Sequence, residues 1–123
     1  MKRSLFFYEV ETYREPLIDL YETDDELIFK IDIPGIDISN ISLKVYEDLL
    51  IIEGLWLAGK GEYFADGLKY LCMERNIKTV RRVLKIPIPV NTVGGTAFYE
   101  NGVVTIKFPK LKDKLIKIKI ERR

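Results

Sequence analysis

Ala97-Phe98-Tyr99-Glu100-Asn101-Gly102-Val103-Val104-Thr105-Ile106-Lys107-Phe108-Pro109 decides the fold of this chain. Two β-prone runs flank Asn101-Gly102, and both central residues tolerate the positive φ that a two-residue hairpin turn requires. The stretch therefore predicts an antiparallel hairpin. Shortly after it, Ile116-Lys117-Ile118-Lys119-Ile120-Glu121 alternates apolar and charged residues, the period of an extended segment with one apolar face.

Toward the N-terminus the same period recurs. Leu27, Phe29, Ile31 and Ile33 alternate with Ile28, Lys30 and Asp32, which predicts a strand with one buried face, stopped by Pro34-Gly35. Ile41, Leu43 and Val45 alternate with Ser42, Lys44 and Tyr46 and predict a second strand, entered from a polar turn at Asp37 to Asn40. Leu49-Leu50-Ile51-Ile52 is a continuous apolar run closed by Gly54, which predicts a strand buried on both faces. From Trp56 to Lys69 the pattern dissolves into glycine, charge and aromatics, the composition of a long loop with room for one short strand. Tyr70 to Glu74 and Thr79 to Pro87 resume β character. Ile86-Pro87-Ile88-Pro89-Val90 must be extended, because each proline fixes its own φ and biases its predecessor away from helix. Closely spaced strands without an amphipathic helix predict an all-β antiparallel sandwich.

Composition narrows the chemistry. At 123 residues the chain suits one domain that needs no disulfide or metal staple, and the formal net charge of +1 sets up no global field for nucleic acid or an anionic membrane. There is no histidine, which removes the usual general base near neutral pH, the nucleophile pairs built on it and the commonest metal ligand. The single cysteine, Cys72, cannot form an internal bridge, and a reducing cytoplasm fits best. Glu9 and Glu11 interrupt the apolar run Leu5-Phe6-Phe7-Tyr8 before it reaches signal-peptide length, so a soluble, unprocessed protein is expected.

Three motifs invite a sharper reading. Gly54-Leu55-Trp56-Leu57-Ala58-Gly59-Lys60-Gly61 nearly satisfies the P-loop pattern but ends in glycine where a magnesium-binding hydroxyl is needed, and no long helix follows. Glu22, Asp24, Asp25 and Glu26 form an acidic cluster without the register of a calcium loop, which a solvated turn explains. Asn40-Ile41-Ser42 is a glycosylation sequon, a frequent chance match. No cofactor is expected from any of them.

Ala97 to Val104 resembles the A-x-x-x-x-G-V-L signature near the end of the α-crystallin domain, and Ile118-Lys119-Ile120 resembles the I-x-I motif that follows it in small heat-shock proteins. The resemblance to that family runs from about Pro16 to the C-terminus. Pro16 to Glu26 looks like its opening strand and acidic turn, and Ile31-Asp32-Ile33-Pro34-Gly35-Ile36 is similar to its L-P-G segment. Ile41 to Gly54 follows its strand, acidic turn (Glu47-Asp48) and second strand. Glu74-Arg75 and Val80-Arg81-Arg82 resemble its E-R…F-x-R region. The chain departs from the family at Lys78-Thr79-Val80, where Gly-Ser/Thr-Phe is usual, and at Val104, where leucine is usual. It departs also in the aromatic content of the Trp56 to Lys69 segment and in the short stretch before Pro16.

The resemblance implies an immunoglobulin-like β-sandwich over 16–110, a short N-terminal arm over 1–15 and a C-terminal extension over 111–123. It implies an ATP-independent holdase that keeps partly unfolded client proteins from aggregating, is not an enzyme, and assembles with itself into a homodimer and higher oligomers. A CS-domain-like co-chaperone or interaction scaffold is the alternative within the same fold. A sugar- or nucleic-acid-binding β-domain using Trp56, Tyr63 and Phe64 as a stacking platform is a third reading, without a basic groove to support it.

Strand parity turns Arg82 toward the apolar side with Val80, Leu84 and Ile86, while Arg81 and Lys85 point away. The family places an arginine of a dimer-interface ion pair here; an arginine snorkelling out at a sheet edge is the other reading. In the family the I-x-I motif inserts between two strands of a neighbouring subunit. The resemblance implies that here those strands are Ile41 to Tyr46 and Gly95 to Glu100, with Leu43, Val45, Ala97 and Tyr99 as candidate groove residues. Ile116 extends the apolar face of Ile118 and Ile120, leaving the register open by two residues, and a last strand on the chain's own domain or a frayed end is the alternative. Leu5, Phe6, Phe7 and Tyr8 are candidates for client contact, or for packing onto the domain.

Overall fold

The computed structural model describes residues 15–57, 67, 69, 71–72, 77–111 and 117–123. Seven strands form over these residues: β1 (Ile18–Glu22), β2 (Glu26–Asp32), β3 (Ile41–Tyr46), β4 (Leu49–Leu57), β5 (Ile77–Lys85), β6 (Thr96–Glu100) and β7 (Val103–Pro109). One sheet has the order β1-β2-β7-β6 and the other β3-β4-β5, every pairing antiparallel. The only helix among the described residues is a single 3₁₀ turn, Ile38–Asn40, capped by the Asp37 side chain, which accepts from the Ser39 amide at 3.0 Å.

The hairpin expected from Asn101-Gly102 joins β6 to β7. Asn101 has φ 52° and Gly102 φ 79°, the two positive values that let a two-residue turn match the twist of its strands. A side chain at Gly102 would also approach Pro34 Cα to 3.1 Å.

Alternation places the core as the sequence predicts. Leu27, Phe29 and Ile31 of β2 and Val104, Ile106 and Phe108 of β7 meet Leu50 and Ile52 of β4 and Val80 and Leu84 of β5. Each contributes about 1.5–3 kcal/mol on burial. Phe29 and Phe108 pack edge to face, with centroids 6.2 Å apart and planes at 89°. Val90 bridges Lys110, and the Asn91 amide donates to the Pro109 carbonyl at 2.8 Å, so the Ile86 to Val90 connector is bound beside the end of β7.

Three expectations need correction. β4 is not buried on both faces: Leu50 and Ile52 are buried, while Leu49 and Ile51 lie half-buried on the outer face beside Lys85 and Lys44. An antiparallel sheet of three strands covers one face only, so the run Leu49 to Ile52 behaves as an ordinary alternation. Gly54 does not close that strand. It pairs with Ile41, and β4 continues through Trp56 to Leu57, so Trp56 stands in a strand and not in the loop. β5 begins at Ile77, before the expected start at Thr79. The expected β character of Tyr70 to Glu74 falls largely outside the described residues, as do most of the Trp56 to Lys69 segment and the arm to residue 14.

Candidate functional site

Each sheet ends in two edge strands, β1 and β6 in one, β3 and β5 in the other. The sandwich therefore has two lateral seams, and side chains treat them differently.

Arg82 closes the first. It is 4% exposed and points inward with Val80 and Leu84, and its Nη1 donates to the carbonyl of Pro16, 66 positions away and just ahead of β1. A guanidinium taken out of water needs such acceptors, and the tie brings the β5 edge to the start of β1. Arg81 faces the other way and meets Glu53, its cross-strand neighbour, at 3.0 Å with both side chains partly exposed. Replacing Arg82 with alanine is expected to cost about 1.5–3 kcal/mol, since a charge-assisted bond to a buried carbonyl is lost. Arg81→Ala is expected to cost under about 1 kcal/mol. Urea unfolding of the two variants checks this, and equal losses would contradict it.

With β5 beside β1 and the sheets face to face, β3 lies on the side of β6. Leu43 and Val45 pair with the inward residues Ile52 and Leu50, and Ala97 and Tyr99 with Ile106 and Val104. All four predicted groove residues thus share the inner faces of two edge strands. Leu43 and Tyr99 pack half-buried against the core, whereas Val45 (37% exposed) and Ala97 are open to solvent. This seam offers apolar surface flanked by edge-strand backbone, the arrangement that accepts an added strand whose alternate side chains enter the cleft.

The groove end nearest the hairpin is tied by hydrogen bonds. The Tyr99 hydroxyl donates to the Ile33 carbonyl at 3.0 Å, the Trp56 Nε1 donates to the Pro34 carbonyl at 3.0 Å, and the Ile33 amide donates to the Gly102 carbonyl at 2.8 Å. Neither the Trp56 nor the Pro16 contact was read from the sequence. Extending the alternation Ile52, Gly54, Trp56 past the glycine is the signal that puts the indole on the inner face; the Pro16 contact has no local signal.

Ile118 and Ile120 are exposed, at 84% and 93%, and residues 117–123 form no strand on their own domain. Ile116 and the predicted client-contact residues Leu5, Phe6, Phe7 and Tyr8 lie outside the described residues. Gly54 to Leu57, the first half of the P-loop-like string, is extended strand and makes no phosphate-cradling loop. The acidic cluster is a tight turn: the Glu26 amide donates to Thr23 Oγ1 at 3.1 Å, and Lys110 pairs with Glu22 at 3.1 Å. Among the described residues, no helix is long and apolar enough to cross a membrane.

A four-stranded and a three-stranded antiparallel sheet, with a signature hairpin at one edge and an isoleucine-rich extension, define a sandwich of the α-crystallin type. Residues 19–121 match the model of the Hsp20/alpha crystallin family, and the chain belongs to that family. It is similar to the 17.1 kDa class II heat shock protein of Pisum sativum, with 32% identity over 83% of this chain and 70% of the relative. Its identity to small heat shock protein C4 of Rickettsia felis is 31%, over 85% and 63%. Among solved structures, heat shock protein 16.0 from Schizosaccharomyces pombe matches the fold with a TM-score of 0.68 at 22% identity, covering 94% of this chain and 88% of that one. The hspA of Xanthomonas axonopodis matches with a TM-score of 0.60 at 29% identity, covering 77% and 92%. Membership of this family of small heat-shock chaperones supports a chaperone role.

Proposed function

We propose that this protein is an ATP-independent holdase of the cytoplasm, which binds partly unfolded proteins before they aggregate and performs no chemical step. Its assembly rests on the C-terminal extension of one copy entering the β3/β6 seam of another. The observation that carries this reading is the presence together of an extension with alternating apolar and charged residues, its Ile118 and Ile120 exposed, and a seam lined by Leu43, Val45, Ala97 and Tyr99. An added strand there would place both isoleucines in the cleft and leave Lys119 in water.

Charge favours the same union. Residues 111–123 hold six Lys or Arg and two Asp or Glu, a net +4, whereas the whole chain carries +1, so residues 1–110 carry −3. Opposite net charges on extension and domain speed their encounter. Arg82 contributes to a dimer-interface ion pair in this reading, and Leu5, Phe6, Phe7 and Tyr8 supply apolar contacts to clients.

The test is an aggregation assay with a heat-labile client and no ATP, run beside size-exclusion chromatography on the full chain and on a variant carrying Ile118→Ser and Ile120→Ser. The full chain is expected to suppress aggregation as an oligomer, and the variant to elute as a markedly smaller species. Unchanged elution would count against docking in the seam. A folded oligomer without suppression would favour the scaffold reading.

A further inference from the structure

Tyr99 does more than line a wall. Its hydroxyl holds the Ile33 carbonyl at 3.0 Å, and the next carbonyl along, that of Pro34, is held at 3.0 Å by the indole of Trp56. The Ile33 amide is held at 2.8 Å by the carbonyl of Gly102. Two successive peptide units of one turn therefore connect a groove residue on β6 to the last residues of β4. The turn has little room for independent movement, because Gly102 backs directly onto Pro34: a single added carbon there would come within 3.1 Å of Pro34 Cα and Cβ. Proline at 34 also fixes its own φ, so a shift of the Ile33 carbonyl is passed on to the Pro34 carbonyl more than it is absorbed. Trp56 stands immediately before Leu57, where β4 ends and the chain leaves toward residue 77.

We infer that the Ile33–Pro34 turn is a relay, with Tyr99 as its positioning residue: a strand entering the β3/β6 seam displaces Tyr99, and the displacement reaches Trp56 and the end of β4. The inference rests on the docking reading above and adds to it a link between the groove and the end of β4. By linkage, whatever constrains Trp56 alters the affinity of the groove, in the same ratio as groove occupancy alters Trp56.

The chain contains one tryptophan, and residues 111–123 contain no tyrosine or tryptophan, so indole emission reports Trp56 alone. The host is the full chain with Ile118→Ser and Ile120→Ser, and the probe is a fluorescein-labelled peptide of residues 111–123 followed by anisotropy, with the unlabelled peptide used for emission. Trp56 emission is expected to change with the same midpoint as the anisotropy. Tyr99→Phe, which keeps the ring and removes the hydroxyl that holds the Ile33 carbonyl, is expected to lose most of the emission change, measured at peptide concentrations that saturate the anisotropy of that variant. Trp56→Phe is expected to shift peptide affinity by about fivefold, the lower end of ordinary coupling. Peptide binding with unchanged emission, an emission change that survives in Tyr99→Phe, or unaltered affinity in Trp56→Phe would each overturn the relay. No binding of the peptide to the host would remove the docking reading, and the relay with it.

Discussion

Phe29→Ala is expected to lower stability by about 3–5 kcal/mol, because it deletes a fully buried ring at the centre of the core. Phe29 sits on β2, the strand that pairs with β1 on one side and β7 on the other, and its ring meets the edge of Phe108 from β7. The aromatic pair contributes about 0.5–1.5 kcal/mol beyond area burial. Core neighbours from the second sheet, such as Leu50, Ile52 and Leu84, are themselves 0–1% exposed and anchored in register, so the cavity cannot close by a local collapse. Domains of this kind keep only about 5–15 kcal/mol in total, so the variant is left near the edge of folding. Calorimetry of the purified variant checks this, and a loss below about 1 kcal/mol would mean that the two sheets do not meet at Phe29.

The second large effect is expected at Gly54. A Cβ there would lie 2.2 Å from the Asn40 carbonyl oxygen and 2.9 Å from Ile41 Cα, both backbone atoms that cannot swing aside. Gly54→Val must therefore push the 3₁₀ turn and the start of β3 away from β4, breaking the Ile41–Gly54 pair. Overpacking usually costs about 1–3 kcal/mol, and a backbone obstruction puts this substitution at or above the top of that range. Because β3 carries Leu43 and Val45, the damage is not confined to stability. Peptide binding in the seam should weaken at temperatures where the variant is still folded, measured by the same anisotropy titration. Wild-type stability in urea would show that β3 accommodates the side chain and that Gly54 is not a packing requirement.

What was legible in the sequence follows from how far each feature acts along the chain. The β2 core face, the Asn101-Gly102 turn and the inward parity of Arg82 depend on neighbours within a few residues, and the alternation reveals them. The same parity identified Leu43, Val45, Ala97 and Tyr99 as inner-face residues of their strands. Gly54 misled because glycine in a strand reads as a breaker, when its cause is the backbone of Asn40 pressed against it. The ties from Arg82 to Pro16, from Tyr99 to Ile33 and from Trp56 to Pro34 join side chains to carbonyls 66, 66 and 22 positions away. Any residue can offer a carbonyl, so no pattern of residue types marks the acceptor.

The unlike seams set a stoichiometry. Arg82 ties the β5 edge to Pro16 within the chain, and the dimer contact proposed at Arg82 is separate from docking in the β3/β6 seam. On the docking proposed above, each copy therefore offers one acceptor cleft, the β3/β6 seam, and one donor segment, the C-terminal extension. Such a contact joins two different surfaces, and it terminates only when a ring or shell closes on itself. Donors and acceptors are then equal in number at every assembly size. Each extension that withdraws uncovers an apolar cleft and an apolar strand together, one of each, so the surface available for capturing another protein rises in strict proportion to the contacts undone.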